Sequence, residues 1–175
     1  EGINMKEHLL PTRIVAGEKM ERPETLFRPK GLYAIINLNI AEWVEYFKME
    51  GVGSYIILDF GKEMNGGIRM ITNVVQGGTC KARIRFGESL GEVNSSIGEK
   101  NATNDHGPRD GETVICDVSD VVYGQTGFRF VRIDLLEEKF VYFKNIFCVN
   151  HIFSRKPIYL YQGKDERIAQ IFDVA

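Results

Sequence analysis

Short apolar runs separated by glycines constrain the fold of this chain more than any other feature. Many of the 18 glycines stand in loops between these runs, in groups such as Gly66 with Gly67 and Gly77 with Gly78. Turn residues that recur about every 8–12 positions between short apolar runs are typical of an all-β sandwich. We therefore predict a mainly β chain: an antiparallel, jelly-roll-like β-sandwich with one or two short helices.

Five segments have the composition of strands. The first is rich in β-branched and aromatic residues, and the others alternate apolar and polar side chains; they are residues 54–60, 67–72, 81–86, 128–135 and 147–153. In the fourth segment, residues 128–135, the side chains predicted to face one core are Phe128, Phe130, Ile133 and Leu135. The alternation of apolar and polar residues is interrupted at Val131.

A helix is predicted over residues 39–47, where Asn39 is the candidate N-cap and Glu42 follows it by three positions. The apolar side chains at i, i+3, i+4 and i+7 share one helical face: Ile40, Trp43, Val44 and Phe47. A strand through residues 43–47 is the alternative.

A second helical pattern begins at Asp165, the candidate N-cap, and its apolar positions are Ile168, Ile171 and Phe172. The pattern reaches Ala175 without the Gly, Asn or Pro that commonly follows a helix. We therefore expect it to be a truncated linker that continues into a missing helical domain.

These patterns predict three regions: an N-terminal extension over residues 1–53, a sandwich core over 54–162 and the start of a linker over 163–175. Within the core, residues 87–120 form a long polar segment, which predicts a loop. Long loops between strands often carry function, although a solvated loop is the alternative. The candidate substrate-binding side chains in this loop are Asn104, Asp105, His106 and Arg109.

Charge and cysteine usage exclude several classes of function. The chain has 22 basic and 24 acidic side chains and a net charge of −2, which argues against nucleic-acid binding because that needs a concentrated basic face. No apolar run approaches the roughly 18 residues of a membrane helix. The three cysteines, at 80, 116 and 148, predict three buried thiols, with one disulfide as the alternative, and leave the compartment open.

Motifs for catalysis or metal binding are weak. Cys148 and His151 would point to opposite faces of a strand, so we expect no metal site, and no motif indicates a cofactor. The triplet at residues 59–61 resembles the magnesium-binding Asp-Phe-Gly of protein kinases, but the other kinase motifs are missing. Many carboxylates are present, and none is singled out as a glycosidase pair. Trp43 is the candidate sugar platform, with a buried core position as the alternative.

Several motifs in order resemble a known family. They match the β-sandwich that precedes the catalytic barrel in bacterial α-L-rhamnosidases of glycoside hydrolase family 78. The matching segments are LDFGKEMNGG at 58–67, RIRFGES at 83–89, ATNDH at 102–106, GQTGFRFV at 124–131, and PIYLY at 157–161 followed by DERI at 165–168.

The resemblance implies a non-catalytic accessory domain of an inverting hydrolase that removes terminal α-L-rhamnosyl residues. The family's catalytic carboxylates lie in an (α/α)6 barrel that would follow this chain, so no catalytic residue is assigned here. The implied partners are that downstream catalytic domain and rhamnose-containing glycans. Two alternatives remain: a lectin-like carbohydrate-binding jelly-roll module, and a small autonomous hydrolase.

Overall fold

Nine strands build the part of the chain that the computed structural model describes, which is residues 3–28, 45–100 and 107–154. The strands are β1 Ile3–Leu9, β2 Arg13–Glu18, β3 Met20–Glu21, β4 Phe47–Glu50, β5 Tyr55–Val75, β6 Thr79–Gly87, β7 Asp110–Cys116, β8 Asp120–Leu135 and β9 Phe140–Ser154. One α-helical turn, α1, spans Leu90–Asn94, and short 3₁₀ turns lie at Pro23–Phe27, Gln76–Gly78 and Gly107–Arg109. Within these residues, no helix is long and apolar enough to cross a membrane.

All strand pairs are antiparallel. The order is β3-β4-β9-β5-β8-β6-β7, with β1 added to β9 and β2 added to β5. The long strands β5 and β8 pair with each other twice, first at residues 55–59 and again at 64–71 of β5. Between these stretches, residues 60–63 of β5 lie opposite the single residue Arg129 of β8. This break divides the sheet into a β2-β5-β8-β6-β7 half and a β8-β5-β9-β4-β3 half.

The two halves enclose one hydrophobic core, which confirms the predicted β-sandwich. One half contributes inward side chains such as Leu58, Ile84 and Ile133, and the other contributes Phe47 and Phe143, and all of them are fully buried in a single cluster. Such side chains alternate along each strand because successive residues point to opposite faces of a sheet. Packing of two antiparallel halves through their inner faces is the arrangement of a sandwich.

The prediction for Phe130 is wrong. Phe130 packs with Ile57 and Val93 in a second, outer cluster beneath α1, whereas Val131 is in the main core. The register shift opposite Arg129 is the reason, because a register shift changes which residues face the core. The slip noted at Val131 is the trace of this irregularity in the sequence.

Two predicted strands, 54–60 and 67–72, are parts of the single 21-residue strand β5. The glycines between them do not end the strand. A Cβ on Gly66 would lie 1.9 Å from the carbonyl oxygen of Val149 in β9, so glycine is needed there for close approach of two backbones.

The predicted helix over residues 39–47 is contradicted at its end, where Phe47 begins strand β4. Phe47 and Met49 are buried while Lys48 and Glu50 face outward, which is the two-residue period of a strand. Residues 39–44, the predicted C-terminal helix and the 163–175 linker lie outside the described residues. The three-region division stays a prediction.

The segment 87–120, predicted as a polar loop, contains helix α1 and strand β7. The hydroxyl of Ser89 caps α1 by accepting a hydrogen bond of 3.3 Å from the backbone N–H of Glu92. β7 lies at the end of the sheet order and buries little of its surface beyond Ile115. A strand with so few buried positions shows little apolar alternation, which explains why it was missed.

Candidate functional site

A cavity of about 350 Å³ opens beside the two-residue strand β3, and its walls are Lys19, Met20, Glu21, Lys48 and Glu50. The residues that flank β3, Lys19 and Arg22, both have left-handed backbone conformations, with φ of 50° and 55°. Between these two positions β3 pairs with β4, Met20 with Met49 and Glu21 with Lys48. This strand pair brings together the side chains that line the cavity.

Lys48 is the central charge of the cavity. Its Nζ atom lies 2.5 Å from Glu50 Oε2 and 3.1 Å from Glu21 Oε1. The hydrogen bond to Glu50 raises the pKa of Lys48, and the hydrogen bond from Lys48 lowers the pKa of Glu21. Lys48 and Glu21 are consequently charged near neutral pH.

Two aromatic rings of β9 flank the same ammonium group. Lys48 Nζ lies 5.8 Å from the ring centroid of Phe140 and 5.9 Å from that of Tyr142, within the range of a cation–π contact. The two rings are arranged edge to face, with 5.6 Å between their centroids. Charged donors and acceptors beside aromatic rings supply both hydrogen bonds and an apolar surface to a small polar ligand.

A second polar cluster lies at the break in β5 and centres on Asp59. The Asp59 side chain is 1% exposed and accepts hydrogen bonds from Arg129 Nε (2.9 Å), Arg129 Nη2 (3.1 Å), Arg13 Nε (2.9 Å) and the Gly61 N–H (2.7 Å). The hydrogen bonds from Arg129 hold the pKa of Asp59 well below its usual range, and those from Gly61 and Arg13 add to this effect. Gly61 has φ of +84°, a conformation that favours glycine.

This cluster gives a structural meaning to two of the motifs that carried the family resemblance. Asp59 belongs to the motif at 58–67 and Arg129 to the motif at 124–131, and they bind each other across 70 positions of sequence. The kinase-like triplet at 59–61 is thus part of an arginine-binding turn and contributes to no metal site among the described residues.

Glu63 and Glu88 form a pair of carboxyl groups near the same break. The charge of Glu63 raises the pKa of Glu88, with further contributions from burial and from Glu92. Both residues are exposed, and a Cβ on Gly127 would lie 3.6 Å from a carboxyl oxygen of Glu88 and 3.9 Å from one of Glu63. The structure thus singles out a carboxyl pair that the sequence did not.

Arg109, a candidate substrate-binding residue of the polar loop, is buried. Its side chain is 2% exposed, and Nη1 donates to the backbone carbonyls of Glu92 (2.7 Å) and Ser95 (3.1 Å). Arg109 therefore supports the chain that follows α1 from the inside and is not at the surface of the predicted polar loop.

The other predicted site residues lie outside the described residues, and their roles stay predictions: Asn104, Asp105, His106 and Trp43. Sequence reasoning missed the Lys48 cavity because the helix predicted over residues 39–47 included the first residue of β4 and no strand was predicted over residues 48–50. The signal was present, since the order Phe-Lys-Met-Glu at 47–50 alternates as a strand does.

Comparison with known proteins supports the fold. No protein-family model matches the chain, and no curated protein matches it. Among solved structures, it resembles a rhamnosidase from Klebsiella oxytoca with rhamnose bound, at a TM-score of 0.56 and 13% identity, over 97% of this chain and 34% of that one. It also resembles the C-terminal domain of a chitobiase from Bacteroides fragilis, at a TM-score of 0.54 and 10% identity, over 85% of this chain and all of that domain.

At these identities the likeness shows the fold alone, which is a β-sandwich. The chain spans about a third of the length of the rhamnosidase that it resembles.

Proposed function

We propose that this chain is a non-catalytic accessory β-sandwich domain of an α-L-rhamnosidase-like glycoside hydrolase, which cleaves terminal α-L-rhamnosyl residues by inversion in a separate (α/α)6 barrel. The observation that carries the proposal is the likeness to a rhamnosidase over 97% of this chain but only 34% of that protein. The joining of Asp59 to Arg129 adds support, because it connects two of the family-like motifs in one structural unit.

The carboxyl groups of the Lys48 cavity support a non-catalytic role. An inverting glycosidase holds its acid and base about 6.5–9.5 Å apart and raises the pKa of the acid. In the cavity, Glu21 and Glu50 both bind Lys48, and the pKa of Glu21 is lowered.

The second candidate is a carbohydrate-binding module, and the Lys48 cavity specifically favours it. The cavity holds the Lys48 ammonium group and two carboxylates, and the rings of Phe140 and Tyr142 flank that ammonium group outside the cavity lining. Sugar hydroxyls accept and donate hydrogen bonds, and the C–H faces of sugars pack on aromatic rings, so this set of groups suits a neutral saccharide. In this reading the domain itself holds the glycan.

Titration of the 175-residue chain with a rhamnose-containing oligosaccharide tests whether it binds sugar. If it is a binding module, we expect NMR shifts at Lys48 and Tyr142, and we expect Lys48→Met to weaken binding about tenfold or more. Lys62→Met is the matched control, because Lys62 is exposed and its ion pair with Glu7 is long, at 4.0 Å. An absence of binding at millimolar ligand would favour the purely accessory role.

Hydrolysis of an aryl α-L-rhamnoside by the isolated chain is expected to be undetectable, and clear turnover would contradict the non-catalytic proposal. The coding sequence after Ala175 provides a second test. A helical domain of several hundred residues is expected there, whereas a stop codon would favour the binding module.

The role of the polar loop can be tested in the longer enzyme that contains the proposed catalytic barrel. We propose that Asn104, Asp105 and His106 reach the rim of the catalytic cleft, so Asp105→Ala is expected to lower kcat/KM. An unchanged kcat/KM, with the domain still folded, would contradict a rim role for this loop.

A further inference from the structure

The arginine cluster above Asp59 has donors that its internal bonds do not use. Arg13 contacts Asp59 through Nε only, and Arg129 through Nε and Nη2. Within the described part of the chain, Nη1 and Nη2 of Arg13 and Nη1 of Arg129 have no hydrogen-bond partner, whereas the carboxylate below them accepts four hydrogen bonds. The free donors belong to exposed side chains, since Arg13 is 61% and Arg129 40% exposed.

Both guanidinium groups are held in place before any ligand arrives. They share one buried carboxylate, which fixes them close together, and Arg129 also lies over the ring of Phe130 at 5.0 Å. The Thr12 hydroxyl and backbone N–H both donate to the Asp59 carbonyl, at 2.9 and 2.8 Å, which anchors the start of β2 beside Arg13. Groups that are ordered in advance lose less entropy when they bind.

The charge of the cluster selects the ligand class. Two guanidinium cations and one carboxylate leave a single net positive charge. A planar carboxylate carries one negative charge and matches the fork of a guanidinium group in two parallel hydrogen bonds.

We propose that Arg13 and Arg129 form a subsite for the carboxylate of an acidic sugar, a uronic acid residue of a glycan. The inference rests on the proposed role in carbohydrate recognition and adds a substrate class to it. The subsite is separate from the Lys48 cavity, because Asp59 lies on β5, where it pairs with β2 and β8, whereas the cavity lies beside β3 and β4.

The test compares a galacturonic acid trisaccharide with its fully methyl-esterified form by calorimetry, because esterification removes the negative charges and leaves the sugar rings unchanged. We expect the acid to bind the chain at least about tenfold more tightly than the ester, because hydrogen bonds to a charged group are the stronger ones. Arg13→Gln is expected to remove most of this difference. It leaves Asp59 its hydrogen bonds from Arg129 and Gly61, so the fold is retained, and the thermal midpoint verifies this.

Arg28→Gln is the matched control, because Arg28 is 64% exposed and makes an ion pair of 3.6 Å with Glu45. We expect it to leave the preference for the acid unchanged. Equal affinity for acid and ester, or equal loss in the two variants, would overturn the inference. Inorganic sulfate that competes as well as the trisaccharide would also overturn it, because the subsite would then take any small anion.

A neutral rhamnose-containing oligosaccharide separates the two proposals. If it binds and depends on Lys48 while acid and ester bind equally, the acidic subsite is wrong and the neutral-sugar reading stands. If the acid is preferred and the neutral sugar does not bind, the acidic subsite stands and the Lys48 site is wrong. If no saccharide binds, both are wrong.

Discussion

Replacing Asp59 with asparagine tests the buried ion pair that joins β2, β5 and β8. Asparagine has nearly the same shape, but it has no charge and offers one acceptor oxygen instead of two. Its amide NH₂ would face N–H donors of Arg13, Arg129 or Gly61, all of which now donate to the carboxylate. At least one of the four hydrogen bonds is therefore replaced by a contact between donors.

The expected loss of stability follows from the burial of Asp59. Removing one partner of a buried ion pair costs about 3–5 kcal/mol. Water can still solvate Arg13 and Arg129, which are 61% and 40% exposed, so we expect the lower end, about 3 kcal/mol. In a domain of this size, that loss lowers the thermal midpoint by about 6–12 °C.

Urea unfolding followed by circular dichroism measures this loss. The control is Asp120→Asn, because Asp120 also makes two hydrogen bonds to one arginine, Arg69, at 2.7 and 2.6 Å, but is partly exposed. We expect the control to cost about 1 kcal/mol or less. Equal losses in the two variants would refute the argument that burial of Asp59 makes its ion pairs important.

The hydrogen bonds to Asp59 also predict how the stability of the fold depends on pH. The pKa of Asp59 is lowered in the folded protein, so its contribution to stability is fully present above the unfolded pKa of about 3.9 and is lost as pH falls toward the folded value. The difference in unfolding free energy between the original chain and Asp59→Asn should therefore be constant near neutral pH and shrink below about pH 4. A difference that grows on acidification would contradict a lowered pKa of Asp59 in the folded protein.

Three further predictions concern other parts of the fold. Gly124→Ala should destabilise far more than Gly98→Ala, by about 2 kcal/mol or more in unfolding experiments; both have positive φ, but only at Gly124 would the new Cβ meet another group, the Phe86 ring at 2.4 Å. Glu88→Gln should raise the urea midpoint at pH 7 and have less effect at pH 4, because the raised pKa of Glu88 makes its ionised form unfavourable in the folded state. A thiol reagent should modify Cys116 alone in the folded chain and all three cysteines in urea, and a second fast-reacting thiol would contradict the structure.

The cysteines show where composition misleads. All three were predicted to be buried, and all three are free, but only Cys80 and Cys148 are buried. Burial raises the pKa of Cys148 to about 12, so its thiolate is scarce at neutral pH. Cys116 ends the edge strand β7, where one face has no second layer to cover it. Exposure of an edge residue depends on strand order, which the local sequence does not specify.

The predicted strands were found because alternation is a local property. A strand at residues 81–86 is identified by its own side chains, and the structure places it within Thr79–Gly87. The glycines of β5 were misleading as signs of a turn, because glycine occurs both in turns and where two strands approach closely. Gly66 has the second role, which becomes visible only when Val149 is known to be its neighbour.

The candidate sites were hardest to predict because their members come from distant parts of the chain. Lys48 meets Glu21 through a strand pair 27 positions apart, and Asp59 meets Arg129 across 70 positions. Arg109, chosen for its polar surroundings, is buried by a turn that its own bonds to Glu92 and Ser95 support. No local sequence pattern indicates which polar side chain is buried in the folded chain.

The order of apolar and polar residues by itself determined that this chain is a β-rich sandwich and which face of most strands turns inward, because the two-residue period of a strand is written in neighbouring positions. Only the tertiary structure decided which strands are neighbours, where the register shifts, and hence which charges meet at Asp59 and at Lys48. Pairing between distant strands is set by the packing of the whole core and by the breaks in register, and these are properties of the assembled sheet.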